Sequence, residues 1–289
     1  MLASPLRGSK AWCGGRAEAR GKQELDWWGP LYLALGSLVG FLAGLLGVGG
    51  GAITVPVLVI IFSAQHFPPE HVLHLALGTS LAGVVFTSAS SLRAHHGHGA
   101  VNWQIVRRFA PGIAVGTLSG SLVAGLFSAR VLTVIFVVFI SYAATEIVIG
   151  RKPIAHRQLP GRVGLTVVGL VIGAACSLVA AGGAFLTIPF MTWCNVKLHQ
   201  AIGTSAALGF AIAIPGAIGY ITTGLQVDSL PAGSLGFLYL PALACFVAGS
   251  TLTAPLGARM AHQLPVQKLR RIFAGVLYAL ALDMLSHLF

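Results

Sequence analysis

Two short residue patterns, each present twice, carry the chemistry of this chain. Gly49-Gly50-Gly51-Ala52-Ile53-Thr54-Val55-Pro56 matches Gly182-Gly183-Ala184-Phe185-Leu186-Thr187-Ile188-Pro189 at an offset of 133, with the glycine pair, the Thr and the Pro in step. His74-Leu75-Ala76-Leu77-Gly78-Thr79-Ser80 matches His199-Gln200-Ala201-Ile202-Gly203-Thr204-Ser205 at an offset of 125. Glycine disfavours helix by about 1 kcal/mol relative to Ala, so each glycine run is expected to break its helix. Pro56 and Pro189 mark where regular hydrogen bonding stops. A break bares N–H groups at a helix N-terminus, where the peptide dipoles attract an anion. Thr54 and Thr187 add hydroxyl donors about one turn on, and each Gly-Thr-Ser run sets two hydroxyls beside a bare backbone. Neutral donors of this kind suit a small oxyanion shedding its water. The competing uses are close helix packing through small residues and hydroxyls bonded back to their own helix.

Four ionisable residues sit near these patterns or at matching places. His74 and His199 are placed where each Gly-Thr-Ser helix begins, and histidine exchanges protons near neutral pH. Glu146 and Asp283 are the only acids of two apolar segments, 131–146 and 268–283, that align loosely through Leu132/Leu269 and Phe136/Phe273. A carboxyl inside a membrane helix is costly and is a candidate proton carrier or gate. The alternatives are a histidine anchoring a helix end and a carboxyl snorkelling to the interface or pairing with a loop arginine.

The elements that hold these residues follow from composition. The chain has 289 residues, 56% hydrophobic and 9% charged, with mean hydropathy +0.85. A soluble domain has about 25% charged residues, so too few are present to coat a water-facing surface. Runs 32–48, 74–92, 109–127, 131–150, 164–180, 201–222, 235–255 and 269–288 each approach the ~20 residues a helix needs to cross a bilayer. They lack the period-2 alternation of a β-barrel. The expected fold is an all-α, polytopic membrane protein of about eight transmembrane helices in two homologous halves, each half with a Gly-rich broken helix.

The expected organisation is a disordered tail over 1–28, a first repeat over 29–150, a basic cytosolic linker over 151–162 and a second repeat over 163–289. Arg151, Lys152, Arg157 and Arg162 make that linker the best cytosolic marker. The tail is read as cytosolic, with Trp27 and Trp28 at the membrane interface. Whether the repeats are parallel or inverted turns on whether the segment after each glycine run counts as a crossing. Four crossings per half would put Arg259, Lys268, Arg270 and Arg271 opposite the linker, against the positive-inside rule.

Other function classes are weaker. The net charge of +11 reflects 7 acidic residues rather than a basic face, so it does not imply nucleic acid as a partner. Cys13, Cys176, Cys194 and Cys245 have no metal or redox spacing and read as small hydrophobes; His95-His96-Gly97-His98 beside arginines reads as a solvated loop. No cofactor and no metal are expected. An intramembrane serine hydrolase would need His74 or His199 against Ser80 or Ser205, but six residues are about 600° of helix, so each pair falls on different faces. A transporter of another small solute or a metal ion is the closer alternative.

The motifs GLLGVGGGAITVP and AAGGAFLTIP, the two H-x-A-x-GTS copies and GHGAVNW over 97–103 resemble the TauE/SafE family of membrane proteins, known for sulfite and organosulfonate export. The resemblance runs from Leu31 to about Phe289. It implies a non-enzymatic secondary transporter of the cytoplasmic (inner) membrane, whose partners are the lipid bilayer and a small sulfur-containing anion moved outward. The second copy departs from the first at Ala181 and Ala184, against Val48 and Gly51, so its break is poorer in glycine.

Overall fold

The computed structural model describes residues 28–42, 44, 50–97, 99–149, 158–260 and 266–286. Gly49, His98, most of the linker and the tail before Trp28 lie outside them. The described residues form helices α1 (Trp28–Leu42), α2 (Gly51–Ala64), α3 (Pro69–Gly97), α4 (Trp103–Ala124) and α5 (Ala129–Ile149). There follow α6 (Arg162–Val179), α7 (Ala184–Trp193), α8 (Leu198–Gly224), the two-residue strands β1 (Ser234–Leu235) and β2 (Leu238–Tyr239), α9 (Leu240–Met260) and α10 (Val266–Ser286). Among the described residues, α3, α5, α6, α8 and most of α9 are each long and apolar enough to cross a membrane. The fold is all-α and polytopic.

Large apolar side chains point outward along these helices, among them Val138, Val163, Leu252 and Leu282, each more than half exposed. Lipid is the solvent that tolerates such a surface. Inside, small residues let backbones approach. Gly112, Gly116 and Gly120 of α4 lie on Thr166, Leu170 and Ala174 of α6, and Gly36 and Gly40 of α1 lie on Phe246 and Ser250 of α9.

The order of these contacts gives the helix directions. Pairs that rise together mean parallel helices: α4 with α6, and α1 with α9. α3 and α8 are antiparallel, because Gly78 meets Tyr220, Leu81 meets Gly216 and Ser88 meets Gly209. α9 runs with α3: Thr79 receives the amide of Tyr239 at 3.0 Å, and Gly83 faces the ring of Phe246. α4 runs with α8, through Thr117 on Gly216 and Thr223 on Gly125. The two helices that carry Gly-Thr-Ser therefore cross head to tail.

In each set of five helices the chain does break at the glycine run. The segment beyond it, however, turns back instead of running on. In the first set Tyr32 packs on Phe62 and donates to Gln65 at 3.0 Å, whereas Val39 faces Gly50, so α1 and α2 are antiparallel. α7 is antiparallel to α8, with Thr187 on Ser205 and Gly183 on Ile212, and so also to α6. Composition cannot separate an interruption from a reversal. Pro56 and Pro189 do not stand at the break, as expected from their type; each is the sixth residue inside its short helix.

The reversal changes the parity of each set. The C-terminal ends of α3, α5, α7 and α9, and the helix starts that follow them, fall on one side. Among the described side chains that side carries Arg93, Arg107, Arg108, Arg162, Lys197 and Arg271. The opposite ends carry Glu70, Arg130 and Asp228. α1 starts on that opposite side; the tail that precedes it lies outside the described residues.

Candidate functional site

Gly50 and Gly51 open the second arm of one helical hairpin, residues 180–183 form the turn of the other, and the two touch at Gly51 and Ala180. α6 ends in Ala180, which adopts a left-handed backbone (φ 48°), and Gly183 follows at φ 77°. Ala180, Ala181, Gly182 and Gly183 are all buried. Across from them is Gly51, the first residue of α2; a β-carbon there would strike the Ala180 carbonyl oxygen and lie 3.4 Å from Ser80 Oγ. That explains Gly51 by close approach, with no appeal to its flexibility.

Neither short helix is capped by a side chain, since the N-caps are Gly50 and Gly183. In α2 the amides of Ile53 and Thr54 both reach the Gly50 carbonyl, at 3.2 and 3.1 Å; in α7 those of Leu186 and Thr187 reach Gly183, at 3.0 and 2.8 Å. The first amides of each helix (Gly51 and Ala52, Ala184 and Phe185) have no intrahelical acceptor by geometry. α2 is antiparallel to α3, α7 to α8, and α3 to α8, so α2 and α7 leave the tips in opposite directions. Their positive ends face inward.

The Gly-Thr-Ser residues divide their tasks. Gly78 and Thr79 are covered by the chain before α9: Gly78 lies under the Phe237 carbonyl and Thr79 Oγ1 accepts from Tyr239 N–H at 3.0 Å. Gly203 and Thr204 are covered by the chain before α4: Gly203 lies under the Ala100 carbonyl and Thr204 Oγ1 accepts from Asn102 N–H at 3.0 Å. Each connecting segment turns on a left-handed glycine, Gly99 (φ 65°) or Gly236 (φ 56°). So Gly78, Thr79, Gly203 and Thr204 each hold a loop of the other helix set, and the two threonine hydroxyls do so as acceptors. Asn102 also caps α4, its Oδ1 accepting from Gln104 and Ile105 N–H. Segments 99–102 and 236–239 escaped the sequence reading as a pair because they share little beyond that glycine.

The serines reach the tips. Ser205 Oγ is 2.8 Å from Thr187 Oγ1, which in turn bonds the Gly183 carbonyl at 2.9 Å. Thr54 Oγ1 bonds the Gly50 carbonyl at 2.9 Å. Ser80 Oγ is buried without a hydrogen-bond partner among the described residues.

The histidines part company. His74 lies five residues inside α3, not at its start, and is buried. Its Nε2 is 3.2 Å from the Ala124 carbonyl, its ring stacks on Phe237 at 5.0 Å, and its Nδ1 has no hydrogen-bond partner among the described residues. His199 is the second residue of α8 and is exposed. Glu146 and Asp283 are half-buried, each three residues from the end of its helix. α5 and α10 touch through Thr145 Oγ1 and Tyr278 OH at 2.6 Å. Cys176 and Cys194 are buried.

A family model for "Sulfite exporter TauE/SafE" matches residues 32–284. A relative from Haemophilus influenzae, described as a "Probable membrane transporter protein", is 36% identical over 256 residues, covering 88% of this chain and 97% of its own. Relatives with that description in Methanocaldococcus jannaschii and Bacillus subtilis are 24% and 28% identical, covering 89% and 65% of this chain and 95% and 76% of theirs. No solved structure matches significantly. The chain belongs to the TauE/SafE family, and it is a multi-pass membrane protein of a transporter family.

Proposed function

We propose that this TauE/SafE member is a secondary transporter of the cytoplasmic membrane that exports a small sulfur-containing oxyanion, sulfite or an organosulfonate, coupled to protons. The observation that carries the reading is that two uncapped helix starts, Gly51 of α2 and Ala184 of α7, are both buried at the turns of opposed hairpins, with Gly51 seated against Ala180, three residues before the Gly183 N-cap. An uncapped helix start is the positive end of the helix dipole, and in a low-dielectric interior it favours an anion. Opposed hairpins also suit alternating access, since one set of helices can rock against the other around the tips.

The basic side of the helix bundle is the cytoplasmic side in this reading, by the positive-inside rule. Of the four candidate proton carriers, His74 is the buried imidazole, and His71 flanks the same Phe237 ring at 5.8 Å. It carries the coupling proton here, while Glu146 and Asp283, at helix ends, act as gates. The test is flux of sulfite, sulfoacetate, thiosulfate and sulfate in proteoliposomes, with and without a pH gradient. Sulfite or sulfoacetate should move, faster with the gradient. Movement of none of the four overturns the substrate class, and flux indifferent to the gradient overturns the coupling.

A further inference from the structure

Ser80 and Ser205 occupy the same place in their motifs yet differ in hydrogen bonding, and that difference locates the anion. Thr187 has one hydroxyl hydrogen, and it lies on the Gly183 carbonyl at 2.9 Å. Thr187 can therefore only accept from Ser205, 2.8 Å away, so the Ser205 hydrogen is spent as well. In the first copy Thr54 likewise bonds its own helix, through the Gly50 carbonyl. No such chain reaches Ser80. Ser80 is 1% exposed, and its hydroxyl has no partner among the described residues and lies 3.4 Å from where a β-carbon of Gly51 would stand. A buried hydroxyl left unmade is costly, and the uncapped first residue of α2 lies beside it.

Resting on the anion-site reading above, we propose that the substrate seat is one-sided. Ser80 Oγ–H and the first amides of α2 bind the oxyanion, and Ser205 and Thr187 form the braced wall opposite. The site then holds one anion rather than two symmetry-related ones. Its donors are a hydroxyl and backbone N–H groups, a set that fits an acceptor-rich head group such as sulfite or sulfonate and offers no anionic ligand to a metal ion. Ser80 is the residue that sets affinity for that head group.

The experiment is thermal unfolding of the purified full-length protein in detergent, titrated with sodium sulfite and with sodium sulfoacetate. Wild type should be stabilised saturably. Ser80→Ala should raise the half-saturating concentration by about tenfold to a hundredfold, the range for losing a hydrogen bond to a charged group. Ser205→Ala should leave it within about threefold. Without anion the order should differ: Ser80→Ala should melt at or above wild type, having lost only an unpartnered hydroxyl, and Ser205→Ala below it. Unchanged half-saturation in Ser80→Ala overturns the one-sided seat and leaves the anion site standing. Ser80→Ala melting well below wild type, or failing to fold, also overturns it, because the hydroxyl would then have a protein partner. Wild type unmoved by either anion, and by sulfate and thiosulfate too, overturns the proposed function together with this assignment.

Discussion

The two hairpin tips are built to one plan, and they differ at the atoms nearest their contact. In the first, Gly51 opens the short helix and Ser80 is unengaged; in the second, Ala184 opens it and Ser205 is tied to Thr187. The extra methyl of Ala184 is tolerated, whereas at Gly51 it would strike the Ala180 carbonyl. The first tip is thus tight on one side and chemically open on the other, and the second is braced. A duplicated motif need not make two equivalent sites: the contact between copies can be satisfied once, freeing the other copy for ligand.

The sharpest way to break this comparison is to exchange the residues. Gly51→Ala should push the tips apart and cut sulfite flux at least about tenfold, as overpacking of a dry contact costs about 1–3 kcal/mol. Ala184→Gly should change flux by no more than about threefold. Proteoliposome flux normalised to inserted protein measures both, and equal losses in the two variants would mean that the tips are equivalent.

The histidines give the next largest difference. His74→Ala removes the ring stacked on Phe237 and the bond to the Ala124 carbonyl, at a cost of about 2–3 kcal/mol. His199→Ala, on an exposed helix start, should stay within about 0.5 kcal/mol. Urea or thermal unfolding in detergent separates them. Similar losses would place His199 in a packed site in the membrane.

Where the copies are alike, matched effects are expected. Thr79→Val strands the Tyr239 amide and Thr204→Val strands the Asn102 amide. Each should lower stability by about 1–2 kcal/mol, and the two should agree within about 0.5 kcal/mol. Melting of the single variants checks this, and a loss in only one of them would show that the loop segments are not equivalent clamps.

Much of this was legible in the residues. Apolar runs gave membrane helices, because no polar surface was available to cover them, and paired Gly and Gly-Thr-Ser motifs marked the chain segments that meet. The reversals were not legible, because a glycine run lowers helix stability equally for a kink and for a hairpin. Only tertiary pairs such as Tyr32 with Gln65 fix the direction. The loop seats on Thr79 and Thr204 were hidden for a related reason: a backbone amide is the same donor in every residue, so its docking leaves almost no side-chain signature. The glycines of α4 at 112, 116 and 120 recur every four residues and so share the face that lies on α6, a pattern not singled out in the sequence reading.

The smallest effect probes the brace itself. Ala180 holds a left-handed backbone (φ 48°), which costs an L-residue with a β-carbon roughly 1 kcal/mol. Gly183, three residues on, has φ 77° and no such cost. Ala180→Gly should therefore relieve strain but loosen the unfolded chain, so the net gain should be about 0.5 kcal/mol or less. Gly183→Ala should lose about 1 kcal/mol or more, because a methyl there adds the same strain and meets Ile212 Cδ1. If the second tip serves as the fixed wall, Ala180→Gly should raise the melting temperature slightly without moving sulfite half-saturation. A shift in half-saturation without a change in melting would instead mean that the Ala180 carbonyl is tuned by the bound anion, and that the second tip takes part in binding.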